Sequence, residues 1–414
     1  MFVLPGSEGI EIHPAWQRGF VQRLASGLAE CPDCVYRLLS LIIEAGEEPR
    51  TEIPVVRSQV TAMSPGPSDD PRPPAVAGLA AGANPPTLRK RTSRRWRWLA
   101  LPIGLLGLFY GGVGYWGSGL LIGDNPRWRG MNRGPRDFGL ESETVSFSAT
   151  DGVPLKAWWL PAPAPARGTV IIAPGGEHTR QVMLPRAVFL VHGGYNVLAV
   201  DLRGHGESGG QFVSPGLVER RDLLGAIRYL RSRGERGPIA LMGVCVGGVA
   251  SLFTAADSGE VAAVVSDSAF PAGIDVFHRF RDYFVHDPRM SRGRTGLANR
   301  RNPLVRAMFG TAYLPGIVPS FVLVYYLRTG VWLGFDVSSV LPAASRIACP
   351  VLIVSGEADW IVPPADARRI LAAIPGRRNG FLSVPNASHD GAYSTAPELY
   401  RNAVLGFLDS SLKR

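Results

Sequence analysis

Residues 238–250 decide the fold of this 414-residue chain, and they read Pro238-Ile-Ala-Leu-Met-Gly-Val-Cys-Val-Gly-Gly-Val-Ala250. The first half is apolar and is typical of a short strand buried on both faces. The apolar run from Val249 to Ala256 predicts a helix. The strand must therefore turn into a helix within a few residues, with Cys245 at the apex in strained backbone geometry. This G-x-Nu-x-G pattern raises one side chain above a sheet, over a helix N-terminus.

Two glycines flank the apex of this turn. A Cβ atom at Gly243 or Gly247 would collide with the neighbouring strand or helix, so the turn needs both residues. The apex residue is a cysteine. Taken alone, the turn allows two interpretations of Cys245, a nucleophile or a buried structural cysteine.

The composition favours a folded chain with a large core. It is 46% hydrophobic and carries a formal net charge of +10. Among its 44 basic residues only Lys90, Lys156 and Lys413 are lysine. Such an arginine bias, together with abundant alanine, glycine and proline, is typical of genomic base composition, so we predict no nucleic-acid partner. Four scattered cysteines are too few for a disulfide framework.

Residues 1–88 are predicted to form a largely disordered N-terminal region. Residues 64–88 are rich in proline, glycine and alanine, the composition of a linker. Cys31-Pro-Asp-Cys34 is a single C-x-x-C motif, which could be half a zinc site or a redox pair. No second pair follows it, so the sequence predicts no metal and no cofactor.

An uncharged run over residues 98–123 predicts one transmembrane helix. As a helix it would extend for about 39 Å, enough to cross a hydrocarbon core of about 30 Å. Six basic residues precede this run between 89 and 97, and four arginines follow it between 127 and 136. This difference favours a cytoplasmic N-terminus and an extracytoplasmic C-terminal domain.

Residues 141–414 alternate between strand and helix patterns. This alternation predicts a doubly wound, mostly parallel sheet, and the first two strands supply an antiparallel edge. The strands are predicted at 144–148, 154–160, 168–173, 196–201, 239–243, 261–266, 350–355 and 380–384.

This domain resembles the α/β-hydrolases and is similar to the membrane-anchored alpha/beta-hydrolase-domain proteins. The resemblance rests on Gly194-Tyr-Asn-Val-Leu-Ala-Val-Asp-Leu-Arg-Gly-His-Gly-Glu-Ser208, on Cys349-Pro-Val-Leu-Ile-Val-Ser-Gly-Glu-Ala-Asp-Trp-Ile-Val-Pro363 and on Asn386-Ala-Ser-His-Asp-Gly391. In this family the chain order of the catalytic residues is nucleophile, acid and histidine. The resemblance therefore implies a triad of Cys245, Asp359 and His389, each just after the carboxyl end of a predicted strand.

The implied roles follow the chemistry of such triads. His389 and the helix N-terminus would lower the pKa of the Cys245 thiol, and Asp359 would orient His389. The backbone N–H groups of Val246 and Gly176 are implied as the oxyanion hole.

The cysteine at the apex makes the turn similar to that of two groups of α/β-hydrolases that use a cysteine nucleophile. Gly243-Val-Cys245-Val-Gly-Gly248 resembles the dienelactone hydrolases and is also similar to the bile-acid acyltransferases. Dienelactone hydrolases carry a glutamate after the third strand that contacts the resting thiol, which implies such a role for Glu177. His178, near the predicted mouth of the site, is a candidate substrate contact. His205 and Cys349 are expected to be structural.

Residues 270–345 interrupt the alternation and are predicted to form a lid. The uncharged run 307–327 cannot be a second transmembrane helix, because a crossing there would separate Cys245 from Asp359 and His389. It is predicted either to lie against a membrane or to cap the core.

The predicted function is a single-pass, membrane-anchored hydrolase that cleaves an ester, lactone or thioester bond in a small-molecule or lipid-like acyl substrate. A cysteine-dependent acyltransferase and a non-catalytic membrane scaffold are the alternatives. The sequence does not determine the oligomeric state.

Overall fold

The computed structural model describes residues 94–119, 121–122, 130–163, 165–176, 178–276, 279, 317–333, 339–376 and 378–412. The predictions for residues 1–88, for Glu177 and for the arginine-rich first half of the lid lie outside these residues. Of the described residues, 94–108 belong to one unit, and those from 109 onward belong to a second, which contains the sheet.

The first described helix, α1, spans Arg94–Ser118. It ends before the predicted boundary at Gly123, where the N–H group of Gly119 donates to the carbonyl oxygens of Tyr115 and Trp116. Of the helices that the structure describes, none is long and apolar enough to cross a membrane. The predicted transmembrane helix over residues 98–123 is therefore not confirmed.

Eight strands form one sheet in the order β1-β2-β4-β3-β5-β6-β7-β8. The pairs β1–β2 and β2–β4 are antiparallel, and all other neighbours are parallel. This confirms the predicted mostly parallel sheet with an antiparallel edge. The strands are β1 (Glu143–Ser148), β2 (Pro154–Leu160), β3 (Thr169–Ala173), β4 (Asn196–Val200), β5 (Ile239–Val244), β6 (Val261–Asp267), β7 (Val351–Gly356) and β8 (Gly380–Val384).

Helices lie between the strands, as the alternation predicts. A 3-10 turn over Arg180–Met183 precedes the helix Leu184–His192. Pro185 lies in the first turn of that helix, where proline fits, and not in its interior. The further α-helices are α2 (Leu184–His192), α3 (Arg220–Ser232), α4 (Val246–Asp257), α5 (Ile317–Thr329), α6 (Leu341–Ala344), α7 (Pro364–Ala373), α8 (Ala392–Thr395) and α9 (Pro397–Ser411).

The sheet separates two hydrophobic clusters. Successive side chains of a strand point to opposite faces, so Ile171 of β3 lies in one cluster while Val170 and Ile172 lie in the other. All five residues of β3 and all six of β5 are buried. The centre of the sheet is thus fully buried, and the carboxyl ends of its strands can hold the residues of a site in place.

The strand order reverses between β3 and β5. The chain leaves β3 towards β4 on one side and later returns through β5 to the other side. At such a switch point the loops after the two strands diverge and leave a crevice at the carboxyl edge. The turn at Cys245 lies at this crevice.

The two ends of the lid region pair with each other, since Ala272 and Ser339 form an isolated antiparallel bridge. In α5, Tyr325 is fully buried and its hydroxyl group donates to the carbonyl oxygen of Val213 over 2.8 Å. The opposite side of α5 exposes 71% of Leu327. The buried side of α5 favours the cap interpretation.

Glu219 is a fully buried carboxylate just before α3, and no basic side chain pairs with it among the contacts of the described residues. It accepts hydrogen bonds from the hydroxyl and backbone groups of Ser214 and from the N–H group of Gly216. Burial raises the pKa of the Glu219 carboxyl to about 7, although the bonds from Ser214 act in the opposite direction.

The stability of the protein should therefore fall as the pH rises through this range. The folded chain binds more protons at Glu219 than the unfolded chain between the ordinary glutamate pKa of about 4.3 and the folded value. Glu219→Gln removes this titration, and its free energy of unfolding should depend less on pH between 5 and 8, by at most about 3 kcal/mol. Urea unfolding at both pH values measures the effect. Glu398→Gln, in the exposed first turn of α9, is the matched control, and equal slopes for both variants would contradict the prediction.

Candidate active site

Cys245 is the single residue between β5 and α4, and its backbone is strained. Its φ of 50° and ψ of −113° lie in a region that residues with a side chain rarely adopt. Such a conformation costs about 1–3 kcal/mol and persists only where the surrounding structure enforces it. Here the N–H group of Cys245 donates to the carbonyl oxygen of Asp267 over 2.8 Å, and its own carbonyl oxygen accepts from Val249 over 3.0 Å.

The glycines on either side allow the chain to fold back on itself. A Cβ atom added to Gly243 would lie 2.1 Å from the carbonyl oxygen of Gly247. A Cβ atom added to Gly247 would lie 2.4 Å from the carbonyl oxygen of Ala173 at the end of β3. The neighbouring atoms are backbone atoms that cannot swing aside, so both positions require glycine, as the sequence predicts.

His389 and Asp359 meet at the same edge from the loops that follow β8 and β7. Nδ1 of His389 lies 2.8 Å from Oδ2 of Asp359. The other oxygen of Asp359, Oδ1, accepts from the N–H groups of Ile361 and Val362 at 2.9 and 2.7 Å. Asp359 is 3% exposed and is therefore fixed in place. It orients the imidazole so that the second ring nitrogen, Nε2, points away from the carboxylate.

That nitrogen faces the thiol. His389 and Cys245 share a side-chain hydrogen bond, and Cys245 is half-buried. Glu357, the other acid near the end of β7, instead accepts a hydrogen bond from Ser383 over 2.9 Å. The structure therefore brings together the three residues of the predicted triad, and the acid among them is Asp359.

The electrostatics of the thiol differ from the prediction. Burial raises the pKa of the Cys245 thiol and the nearby Asp390 carboxylate adds to this, whereas the hydrogen bond with His389 lowers it. The lowering by His389 is therefore as expected, but burial outweighs it, so the net direction of the Cys245 pKa is upward. Burial alone would lower the pKa of His389, but the hydrogen bonds with Asp359 and Cys245 raise it to about 11.

Asp390 is a fourth residue of the site that the sequence analysis did not assign. Its φ is 58°, and its Oδ1 lies 3.4 Å from Nε2 of His389. One ligand atom each from Cys245, His389 and Asp390 lies within 4.8 Å of the other two. The carboxylate thus lies beside both the thiol and the imidazole.

A model of the alpha/beta hydrolase family matches residues 170–403, more than half of the chain. The chain belongs to the alpha/beta hydrolase family.

Relatives and solved structures agree with this assignment. The chain is 27% identical over 274 residues to the uncharacterized protein YqkD of Bacillus subtilis, covering 66% of this chain and 80% of that one. It is 27% identical over 305 residues to slr0264 of Synechocystis sp., which is named as a proposed esterase, covering 62% and 79%. The Pyrococcus furiosus esterase Pf2001 superposes with a TM-score of 0.52 at 25% identity, over 70% of this chain and 99% of that one. The protein is a hydrolase.

In this family the oxyanion is held by backbone N–H groups beside the nucleophile, and the predicted donors lie close to it. The N–H group of Val246 hydrogen-bonds the Cys245 side chain. A Cβ atom added to Gly176 would lie 3.4 Å from Cγ2 of Val246, whereas one added to Gly175 would lie 3.3 Å from Cβ of Cys245. Gly175 is therefore nearer to the nucleophile than the predicted Gly176. The role of either N–H group stays a prediction.

The remaining candidates lie apart from Cys245, His389 and Asp359. His178 is exposed, and its only described influence on the site is a weak electrostatic one on Asp390. His205 is buried, and its Nδ1 lies 2.9 Å from the carbonyl oxygen of Arg203. Burial raises the pKa of the Cys349 thiol to about 11. These positions fit the structural roles expected for His205 and Cys349.

Only one signal in the sequence could have indicated Asp390. It directly follows His389 in Asn386-Ala-Ser-His-Asp-Gly391, so a titratable side chain is adjacent to the catalytic histidine of the family pattern. The side chains of two neighbouring residues usually point in different directions, so the sequence does not indicate that Asp390 and His389 reach the same site. The positive φ of Asp390 turns its carboxylate back to the thiol, and a sequence pattern does not reveal that backbone angle.

The turn should tolerate no side chain at Gly247. Gly247→Ala should lower the free energy of unfolding by about 1–3 kcal/mol, because its Cβ atom would overlap backbone atoms at the end of β3. Gly406→Ala is the matched control, since Gly406 lies within α9 and an added Cβ there meets nothing within 4 Å. That control should gain about 0.5–1 kcal/mol. Denaturant unfolding measures both, and equal effects would contradict the prediction.

Proposed function

We propose that this protein cleaves an ester, lactone or thioester bond with Cys245 as the nucleophile, through an acyl-enzyme. The observation that carries this proposal is the placement of Cys245 at the strained apex, in hydrogen-bond contact with a histidine that Asp359 orients. A nucleophile, a base and an orienting acid in this order are the parts needed for acyl transfer.

The first half-reaction forms a thioester. The thiol proton of Cys245 moves to Nε2 of His389 as sulfur bonds to the acyl carbon, and the carbonyl electron pair moves onto oxygen. The tetrahedral intermediate collapses, and the leaving group departs with the proton from His389. The raised pKa of His389 favours the first proton transfer and offsets the cost of ionising a buried thiol.

The second half-reaction hydrolyses the acyl-enzyme and regenerates the free Cys245 thiol. A water molecule attacks the thioester carbon while His389 accepts one of its protons. The sulfur then leaves as thiolate, the acid product departs, and the thiol regains the proton from His389. An amine or alcohol that replaces this water would make the protein an acyltransferase, and product analysis with such acceptors distinguishes the two activities.

A thiolate nucleophile indicates the class of substrate. Thiolate is a good leaving group, so a tetrahedral intermediate from an ordinary alkyl ester would mostly expel Cys245 and return to substrate. Enol esters, lactones and thioesters have leaving groups that depart at least as readily. We therefore propose an activated acyl group as the substrate.

The α1 helix supports a membrane association. Its apolar side chains are exposed on all sides between residues 101 and 109, among them Leu101 at 68%, Ile103 at 62% and Leu108 at 75%. Since successive residues of a helix point about 100° apart, no single protein surface could cover all of them, whereas a lipid phase could. We propose that this segment lies in a membrane and brings the enzyme close to lipophilic acyl substrates. The extracytoplasmic placement of the domain stays a prediction.

The nucleophile can be tested by exchanging sulfur for oxygen. For the wild-type protein, kcat/KM should be higher for a thioester than for an alkyl ester of the same acyl chain. Cys245→Ser should move this ratio towards the alkyl ester by about tenfold or more, because an alkoxide is a poorer leaving group than a thiolate. Cys349→Ser should leave the ratio unchanged. A wild-type protein that prefers the alkyl ester, with an inactive serine variant, would refute the proposed role of the cysteine.

The membrane association can be tested by polar substitutions in the exposed segment. Burial of each leucine or isoleucine in lipid is worth about 1.5–3 kcal/mol. Replacing Leu101, Ile103, Leu105 and Leu108 together by Gln should move the protein from the carbonate-resistant membrane fraction to the supernatant. Leu399→Gln, at an exposed leucine of α9, is the matched control and should remain in the membrane fraction like the wild-type protein. Retention of the quadruple variant in the membrane would contradict the proposal.

A further inference from the structure

The active site also presents a set of metal-binding atoms. Ligand atoms from a thiol, an imidazole and a carboxylate lie within 4.8 Å of one another, supplied by Cys245, His389 and Asp390. Zn²⁺ binds sulfur at about 2.3 Å and nitrogen or oxygen at about 2.0–2.2 Å in tetrahedral geometry. Neighbouring ligand atoms in such a tetrahedron are about 3.4–3.6 Å apart, so small side-chain movements are enough to close the set around an ion.

His389 is already oriented as a metal ligand. Its Nδ1 is engaged by Asp359 over 2.8 Å, which leaves the lone pair of Nε2 directed to the thiol side. A carboxylate bound to the opposite nitrogen is the arrangement that commonly supports a zinc-bound histidine, because it fixes the ring and increases its basicity. Asp359 is fixed in turn by the N–H groups of Ile361 and Val362.

The carboxylate of Asp390 gives the second, independent observation. Its Oδ1 is buried and, within the described residues, makes no hydrogen bond, while Nε2 of His389 lies 3.4 Å from it as an ion-pair contact. A buried carboxylate oxygen without a hydrogen bond is costly, and a cation coordinated there would lower that cost. Its neighbours include the Cys245 thiol and the His389 imidazole, the other two members of the set.

Gly175 borders the set, since a Cβ atom at this glycine would lie 3.3 Å from Oδ2 of Asp390 and 3.3 Å from Cβ of Cys245. Three protein ligands leave the fourth position of a tetrahedral zinc ion to a water molecule. The sequence predicts no metal site, since these ligands come from loops far apart in the chain and form no spacing motif.

We propose that Cys245, His389 and Asp390 form a Zn²⁺ site that reversibly inhibits the enzyme. On binding, zinc–sulfur, zinc–nitrogen and zinc–oxygen bonds form, the thiol proton passes to solvent, and no atom changes its oxidation state. While zinc is bound, Nε2 of His389 cannot accept a proton and the sulfur lone pair is coordinated, so acylation stops. The thiolate ligand favours Zn²⁺ over Mg²⁺ or Ca²⁺. The zinc site does not depend on the proposed function, whereas the inhibition does.

The binding test uses the full chain in detergent, with Zn²⁺ in competition with a chromophoric chelator. The wild-type protein should bind one Zn²⁺ at this site, and Asp390→Asn should weaken binding by at least about tenfold, because a charged ligand is lost. Cys349→Ser and the double variant Cys31→Ser, Cys34→Ser should keep this affinity, which separates the site from other thiols. Circular dichroism and thermal unfolding of Asp390→Asn show whether its fold is retained.

Cobalt substitution gives a second readout that does not depend on activity. Co²⁺ bound to the wild-type protein should show a sulfur-to-cobalt charge-transfer band, and this band should disappear in Cys245→Ala and persist in Cys349→Ser. Equal affinity of the wild type and a folded Asp390→Asn, or a band that survives in Cys245→Ala, would overturn the proposed site.

The failure of the zinc site and that of the proposed function give different results. A protein that binds zinc through these residues but cleaves no thioester contradicts the proposed function and leaves the site intact. A protein that cleaves a thioester at the same rate with and without stoichiometric Zn²⁺ contradicts the inhibitory site alone.

Discussion

The close approach of two backbone segments at Gly243 and Gly247 is the constraint on which the rest of the site depends. The carbonyl oxygen of Gly247 occupies the place where a side chain of Gly243 would be, and Gly247 itself touches the end of β3. Only this contact lets α4 begin directly after β5, with one residue between them. That residue, Cys245, must then accept a positive φ, which directs its side chain out of the sheet and into the crevice. The strain is local, and the fully buried strands on both sides maintain it.

The charged groups around His389 determine the protonation of the imidazole and of the Cys245 thiol. The imidazole lies among three groups that can carry negative charge, the carboxylates of Asp359 and Asp390 and the thiol of Cys245. Their sum favours the cationic ring after the thiol proton has moved to Nε2, while burial and Asp390 disfavour the thiolate. The two residues therefore titrate as a coupled pair. Under the proposed mechanism, Cys245 gains its negative charge by transferring its proton to the imidazole.

The sheet, the turn at Cys245 and the positions of Asp359 and His389 could be predicted from the sequence, each for a different physical reason. The buried strands around Cys245 are short apolar runs, and the glycine spacing of the turn is strict because backbone atoms collide. Asp359 and His389 follow strand ends that the alternation of strands and helices already placed. The carboxylate of Asp390 escaped notice because its position depends on one backbone angle. The net rise in the pKa of Cys245 could not be predicted from the sequence, because burial and the Asp390 carboxylate outweigh the lowering by His389.

The described part of the lid links the apolar helix to the domain that holds the site. Gly117 of α1 faces the ring of Phe321 in α5. Arg328 of α5 donates to the carbonyl oxygen of Tyr115 over 3.1 Å, and its guanidinium group lies 4.3 Å from the centre of the Tyr115 ring. On its other side α5 reaches the domain through the buried Tyr325. The end of α1 therefore packs on the same helix that covers the core.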